Sequence, residues 1–243
     1  MAKLAAIFLD DGGVLNDNSL RGPQWRRLIR EFFAPRLGGT PGRWAEANLV
    51  VFDRIFNETL GSPGFRPPDY RLWWREYQLH WLREMATEVG VAVPKSKEDA
   101  FELAMEAVRY ITARVRAEIS GASDTVKELG RLAPLYLASG GHSVELVNML
   151  DGLGIRDLIR TPYGADIINE FKGSVDYYRK VFEHAGVDPR QVLVVDNEER
   201  CVIWADSAGA QTCLVAPKRP NRCNAGAVIP RFADLPELLE RLA

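Results

Sequence analysis

The chain has 243 residues, of which 47% are hydrophobic and 26% are charged, and its formal net charge is -2. This length is sufficient for one large domain or for a core domain with an inserted cap. The small net charge gives no reason to expect nucleic acid or an anionic membrane as a partner, and no apolar run is long enough to span a bilayer. The N-terminus leads directly into an apolar run without a signal-peptide pattern, which predicts a cytoplasmic protein.

The cysteine and histidine content disfavours several kinds of site. The three cysteines show neither CxxC nor Cys/His spacing, so reduced thiols are expected and a zinc site is not. Only three histidines are present, which leaves a Ser-His-Asp or Cys-His catalytic arrangement poorly supplied. The cysteines are Cys201, Cys213 and Cys223.

The first predicted element is a short strand that ends in two carboxylates. An apolar run, residues 4–9, is followed by Asp10 and Asp11 and then by two glycines. Such a run predicts a strand that is buried on both faces of a parallel sheet, and ligands bind at the carboxyl ends of such strands. Asp10 is therefore a candidate nucleophile or metal ligand beside glycine N–H groups that could bind an anion. An ordinary Asp-Gly turn after a strand explains the same residues.

A helical segment follows, from about residue 16 to residue 121. It contains no convincing buried strand, and Gly/Pro breaks interrupt it at 37–42 and 61–64. The apolar spacing from Glu98 to Ile119 predicts a helix. Five of the six tryptophans lie in this segment. They are either the small core of a helical subdomain or, for a few of them, the lining of a cleft over Asp10.

Strands and helices alternate in the rest of the chain, which predicts a doubly wound α/β sheet. A loop at 120–124 with an N-cap opens the first of these helices, which runs through Leu132. The predicted strands are 135–138, 158–161, 192–195 and 212–215. The further predicted helices are 144–153, 174–185, a helix to about 208, and 235–242. We expect a core formed by residues 1–15 and 122–243, with residues 16–121 as the inserted helical cap.

Polar groups follow several of these predicted strands. Asp10 ends the first strand, Ser139-Gly140 the next and Asp196-Asn197 a later one, and Lys172 lies in a loop that could reach them. Phosphoryl transfer needs such groups: a carboxylate nucleophile, hydroxyl and backbone donors, a cation, and oxygen ligands for Mg²⁺. Taken singly, Lys172 is explained by a solvated lysine and Ser139-Gly140 by an ordinary turn. The order of all these groups along the chain is a more specific indication of a phosphoryl-transfer site.

At this point the chain resembles the haloacid dehalogenase-like (HAD) hydrolase superfamily, with an α-helical cap inserted after the first strand. Residues 10–15 (DDGGVL) match the first motif, hydrophobic-Asp-x-Asp-Gly-Thr/Val-Leu, with one departure. Ser139 matches the second motif, Lys172 the third, and the segment 195–209 the fourth. The resemblance implies a Rossmann-like core and Mg²⁺-dependent hydrolysis of a small phosphorylated metabolite through an aspartyl-phosphate. Neither this resemblance nor the residues indicate an oligomeric state.

The resemblance also implies a role for each matching residue. Asp10 would be the nucleophile, and Ser139 and Lys172 would complete the catalytic group. The implied phosphoryl-binding residues are Asp11, Gly12, Ser139, Gly140 and Lys172. The implied magnesium ligands are Asp10, Gly12 through its carbonyl, Asp196 and Asn197.

Two departures from the family pattern leave other functions open. Gly12 stands where family phosphatases carry a general acid, which contributes about 10²–10⁴-fold to rate. Counting back from Ala208-Gly209 without gaps puts Asn197 in the usual metal-ligand position and Cys201 where a second acid or Asn often lies. One alternative is a dehalogenase-like hydrolase, which also lacks the second Asp and needs no metal. Another is a degenerate HAD fold that binds a ligand or partner without turnover.

Overall fold

The computed structural model describes residues 4–59, 65–218 and 225–242, so Cys223 and the predicted break at 61–64 lie outside the described residues. The chain divides into two compact units. One comprises Met1–Asn18 with Ala117–Ala243, and the other is Ser19–Arg116. That the second unit acts as a cap, with bounds 16–121, stays a prediction. Among the described residues, no helix combines the length and apolarity needed to cross a membrane.

The first unit is built on a parallel sheet, as the sequence predicts. In the described residues six parallel strands lie in the order β3-β2-β1-β4-β5-β6. The chain order reverses at β1, between β2 and β4, which is the switch point at which α/β sheets bind ligands. The strands are β1 (Ala6–Leu9), β2 (Leu135–Ala138), β3 (Ile159–Tyr163), β4 (Val192–Asp196), β5 (Gln211–Val215) and β6 (Ala227–Ile229).

Helices form the second unit, and a separate set of helices within the first unit packs on its sheet. The described helices are α1 (Asn18–Leu37), α2 (Pro41–Glu58), α3 (Tyr70–Val89), α4 (Lys97–Thr112), α5 (Ala122–Leu132), α6 (Ser143–Leu153), α7 (Val175–Ala185), α8 (Glu199–Ser207) and α9 (Leu235–Leu242). Helices α1 to α4 lie in the Ser19–Arg116 unit, except for Asn18, the first residue of α1. Helices α5 to α9 belong to the unit that contains the sheet.

Both faces of the sheet are buried because side chains alternate sides along each strand. Ile7 and Leu9 point to one face and pack with residues of α5, α6 and α9. Phe8 points to the other face, where its ring stacks on Tyr136 at 4.8 Å and packs with residues of α7 and α8. The strand that carries Asp10 is therefore fixed from both sides, which holds its carboxyl end in a constant position.

The helical unit has its own aromatic core. Trp44, Trp74 and Trp81 are buried, whereas Trp25 and Trp73 are partly exposed. The Trp81 indole N–H donates to the buried Asn48 at 3.1 Å. For the three buried tryptophans, a structural role in a helical subdomain is thus the correct interpretation.

Three local predictions need correction. Helix α4 ends at Thr112, before the predicted Ile119, because residues 113–114 form a turn. Val115 is buried beyond the helix end, so the apolar spacing continues without helical backbone. The N-cap of α5 is Gly121 with φ 80° and no side-chain bond. The third strand starts one residue later than predicted and runs to Tyr163, and the short edge strand β6 was not predicted.

Candidate active site

Lys172 joins the carboxyl ends of three neighbouring strands. Its ammonium donates to Asp10 Oδ1 after β1 at 2.7 Å, to the Ala138 carbonyl at the end of β2 at 2.9 Å, and to Asp196 Oδ2 at the end of β4 at 2.7 Å. The side chains of Lys172, Asp10 and Asp196 are 7%, 12% and 1% exposed. Three groups that lie far apart in the sequence therefore form one buried ion triad, and its Asp10 member keeps some exposure.

Asp196 is held by the protein on both of its carboxylate oxygens. Oδ1 accepts from the Glu198 N–H at 2.8 Å, and Oδ2 also accepts from the Tyr178 hydroxyl at 3.5 Å. Asn197 is exposed, and a side chain on Gly13 would overlap the Asn197 amide. The structure thus places Asp196, and not Asn197, against Lys172. Which of these two residues would bind a metal stays a prediction.

The turn after Asp10 uses the second carboxylate as a structural group. Asp11 is buried, and its Oδ1 accepts from the Asn16 amide at 2.6 Å. The turn needs glycine at position 13, where φ is 87°. A Cβ on Gly12 would lie 2.9 Å from Asn18 Nδ2, so the Asn18 amide occupies the space where a side chain at position 12 would start.

The predicted Ser139-Gly140 pair lies beside the triad. The Ser139 N–H donates to the Tyr163 carbonyl at 3.0 Å, which ties the end of β2 to β3. The Ser139 hydroxyl accepts from the Gly141 N–H at 3.4 Å. A Cβ on Gly140 would lie 3.6 Å from Lys172 Cβ, so this glycine allows the backbone to run close to the lysine.

Two tyrosines of α7 take part in this site and were not predicted from the sequence. The Tyr178 hydroxyl reaches Asp196, and the Tyr177 hydroxyl donates to the carbonyls of Ser139 at 3.1 Å and Tyr163 at 3.0 Å. Their position offered a signal, because the first turn of a helix that starts three residues after Lys172 must lie near the same strand ends.

A further unpredicted group fixes the start of α6. Asp166 accepts from the Ser143 N–H at 2.7 Å and from the Ser143 hydroxyl at 2.6 Å. A Cβ on Gly164 would lie 2.5 Å from the Ser143 nitrogen, so only glycine allows this approach. The loop after β3 therefore anchors the far end of the loop that begins at Ser139.

Comparison with known proteins places the chain in a family. The model of the haloacid dehalogenase-like hydrolases matches residues 4–203. The chain belongs to this family. No curated protein matches the sequence.

Solved structures that resemble this HAD hydrolase span its whole length at low identity. A 2-haloacid dehalogenase from Pseudomonas syringae pv. tomato DC3000 has a TM-score of 0.70 at 18% identity, covering 99% of this chain and 100% of that one. YfnB from Bacillus subtilis, a HAD hydrolase bound to magnesium, has a TM-score of 0.65 at 18% identity, covering 98% of this chain and 99% of that one. L-2-haloacid dehalogenase from Xanthobacter autotrophicus has a TM-score of 0.62 at 19% identity, covering 99% and 100%. These similarities show a shared fold.

The electrostatics of the HAD site keep Lys172 charged and bring the pKa of Asp10 close to neutrality. Burial raises the pKa of the Asp10 carboxyl to about 7, and the Lys172 ammonium opposes the rise. Burial disfavours the Lys172 ammonium, but Asp10 and Asp196 together hold its pKa well above the usual range. Burial also raises the pKa of the Cys201 thiol to about 12, so this thiol stays neutral near pH 7.

The side chains of this HAD hydrolase fit a magnesium ion poorly. Oxygen ligands could come from Asp10, Asp196 and the Gly12 carbonyl, yet both carboxylates already bind Lys172. The neutral Cys201 supplies no third carboxylate. In the described ranges no group of three or more His, Cys, Asp or Glu residues is arranged to hold a metal. The magnesium site therefore stays a prediction from the family resemblance.

Proposed function

We propose that this HAD hydrolase removes halide from 2-haloacids through a covalent ester on Asp10, without a metal ion. The observation that carries the proposal is the glycine at position 12 with the Asn18 amide beside it. The alcohol part of a phosphoester leaves as an alkoxide and needs a proton from an acid, whereas a halide leaves as a stable anion. Of the neighbouring carboxylates, Asp11 is engaged by Asn16 and Asp196 by Lys172, so neither replaces the acid.

The geometry supports a two-step displacement. An Asp10 oxygen attacks C2 of the haloacid, the carbon–halogen bond breaks, and the halide leaves with the bonding electron pair. Water then attacks the carboxyl carbon of the Asp10 ester and releases a 2-hydroxy acid, with the excess proton passing to solvent. Lys172 binds Oδ1 of Asp10, which orients the carboxylate, and its charge stabilises the negative charge that develops during ester hydrolysis.

The comparisons support this substrate class over the phosphorylated metabolite that the resemblance implies. Two of the similar structures are 2-haloacid dehalogenases, and the Xanthobacter enzyme is also known with chloropropionic acid covalently bound, at a TM-score of 0.61 and 18% identity. The second candidate function is the Mg²⁺-dependent phosphatase. The magnesium-bound Bacillus structure favours it, together with the carboxylate pair of Asp10 and Asp196.

Halide release measured with and without metal tests the proposal. We expect the purified protein to release halide from 2-chloro- and 2-bromopropionate, with rates in EDTA and in excess Mg²⁺ that agree within about twofold, because Lys172 supplies the cation of the site. A panel of phosphomonoesters assayed for phosphate release under the same two conditions is the control. Phosphate release that depends on Mg²⁺, without halide release, would establish the phosphatase instead. Turnover in neither assay would support a binding protein.

The raised pKa of Asp10 predicts how the dehalogenase activity depends on pH. The carboxylate attacks only when ionised, and burial raises the pKa of Asp10 to about 7. We therefore expect kcat/KM to fall about tenfold for each pH unit below neutrality and to level off above it. Measuring kcat/KM as a function of pH in well-buffered solutions checks this. Full activity retained at about pH 5 would show that Asp10 titrates near the ordinary value for an aspartate.

A further inference from the structure

A fully buried tyrosine hydroxyl lies under the loop that follows β2. The Tyr177 side chain has no solvent exposure, and its single hydroxyl hydrogen is shared between the carbonyls of Ser139 at 3.1 Å and Tyr163 at 3.0 Å. Burial raises the pKa of Tyr177 well above its usual range, so the hydroxyl remains a proton donor. The ring itself is held edge-on by Tyr178 at a centroid distance of 5.3 Å. The hydroxyl therefore has a fixed position relative to the ends of β2 and β3.

The hydroxyl fixes a peptide plane and not only a carbonyl. In a trans peptide the carbonyl of one residue and the N–H of the next point in opposite directions. Because Tyr177 holds the Ser139 carbonyl, the Gly140 N–H is directed away from Tyr177. In the described part of the chain this N–H has no hydrogen-bond acceptor. Gly140 lies against Lys172, whose ammonium binds Asp10.

We propose that Tyr177 is a positioning residue, whose hydroxyl orients the Ser139–Gly140 peptide so that the Gly140 N–H binds the anionic group of the substrate or leaving group. An N–H whose direction is fixed is an effective hydrogen-bond donor to an anion, because no reorganisation is needed when the anion arrives. The inference deepens the proposed function, on which it rests for the identity of the anion. Tyr178, which faces Asp196, acts on the other side of the triad.

Anion binding by Tyr177→Phe tests the inference without any assay of turnover. The substitution removes one hydroxyl and keeps the ring. Bromide and inorganic phosphate are the probes, and protein with isotope-labelled glycine allows the Gly140 amide resonance to be followed during each titration. We expect both dissociation constants to rise about five- to tenfold in the variant, which corresponds to loss of one well-placed hydrogen bond. With 2-haloacids, KM is expected to rise more than kcat falls.

Thr125→Val is the matched control. It also removes a buried hydroxyl that donates to a backbone carbonyl, that of Gly121 at 2.9 Å, but it lies in α5. We expect a comparable loss of thermal stability and anion affinities within about twofold of the parent protein. Anion affinities and a Gly140 resonance in Tyr177→Phe that equal those of the parent would overturn the inference.

If Tyr177→Phe does not fold, the parent protein still tests the step on which the inference depends, that the Gly140 N–H binds the anion. In that case a Gly140 amide that stays unchanged through both titrations overturns it, and a shift that saturates with the anion supports it. Failure of the proposed function is a separate result. A parent protein that releases no halide but loses anion affinity on Tyr177→Phe would refute the dehalogenase and keep the role of Tyr177.

Discussion

Asp10→Asn is expected to lower halide release by more than about 10³-fold, equivalent to at least about 4 kcal/mol of activation free energy. The amide has nearly the shape of the carboxylate, but it is a poor nucleophile and cannot form the ester. Its carbonyl oxygen still accepts from Lys172, so the fold should be retained. Initial rates on 2-bromopropionate, with circular dichroism as the check of folding, measure the effect. Activity equal to that of the parent protein would remove Asp10 as the nucleophile.

Labelled water distinguishes a nucleophilic Asp10 from one that only activates water. During a single turnover in ¹⁸O-labelled water, the proposed mechanism transfers an unlabelled Asp10 oxygen to the product and leaves the label in the carboxylate. Mass spectrometry of the peptide that contains Asp10 detects this label. The control is Asp188→Asn, which changes a partly exposed carboxylate that pairs with Arg190 and should leave the rate and the labelling unchanged. Label found directly in the product would contradict the covalent step.

The sequence predicts the sheet well because each buried strand leaves a strong local pattern. The runs at 135–138 and 192–195 are apolar throughout and end in polar residues, and the structure has strands at both places. Parallel pairing then brings all these polar ends to one edge. The position of Asp10 and Ser139 at this edge follows from that topology, whereas Lys172 reaches Asp10 from the loop between β3 and α7. In contrast, β6 has three residues and no such pattern.

Side-chain pairing between loops could not be predicted in the same way. The gapless count favours Asn197, but the turn after β4 directs Asp196 to Lys172 and leaves Asn197 exposed. A shift of one residue in the turn after β4 would bury the side chain of Asn197 and expose that of Asp196. Sequence spacing alone does not determine which of the two side chains is directed inward. Tyr177 was missed for a related reason: an aromatic residue on a buried helix face predicts core packing, whereas the hydroxyl partner depends on the tertiary structure.

Lys172→Met is expected to abolish turnover and to destabilise the folded protein by about 3–5 kcal/mol near pH 8, since it leaves two buried carboxylates without their cation. The side chain is 7% exposed and binds both Asp10 and Asp196 at 2.7 Å. Without the ammonium, the pKa of Asp10 should rise further. The carboxyl groups of the variant can then take up protons as the pH falls. The difference in unfolding free energy between variant and parent should therefore shrink toward about pH 5. Urea unfolding of both proteins at several pH values measures this difference.

Two further variants test whether the loss of stability comes from the triad or from the removal of any lysine. Lys127→Met removes a cation paired with Asp124 at 2.9 Å, but these side chains are 52% and 80% exposed, and we expect no measurable change in stability at any pH. Adding Asp196→Asn to Lys172→Met should recover part of the lost stability, because one buried charge is removed with its partner. It should recover none of the activity, because Asp10 still lacks its cation. A destabilisation independent of pH would mean that Lys172 stabilises the site through packing, and the charge argument for this triad would fail.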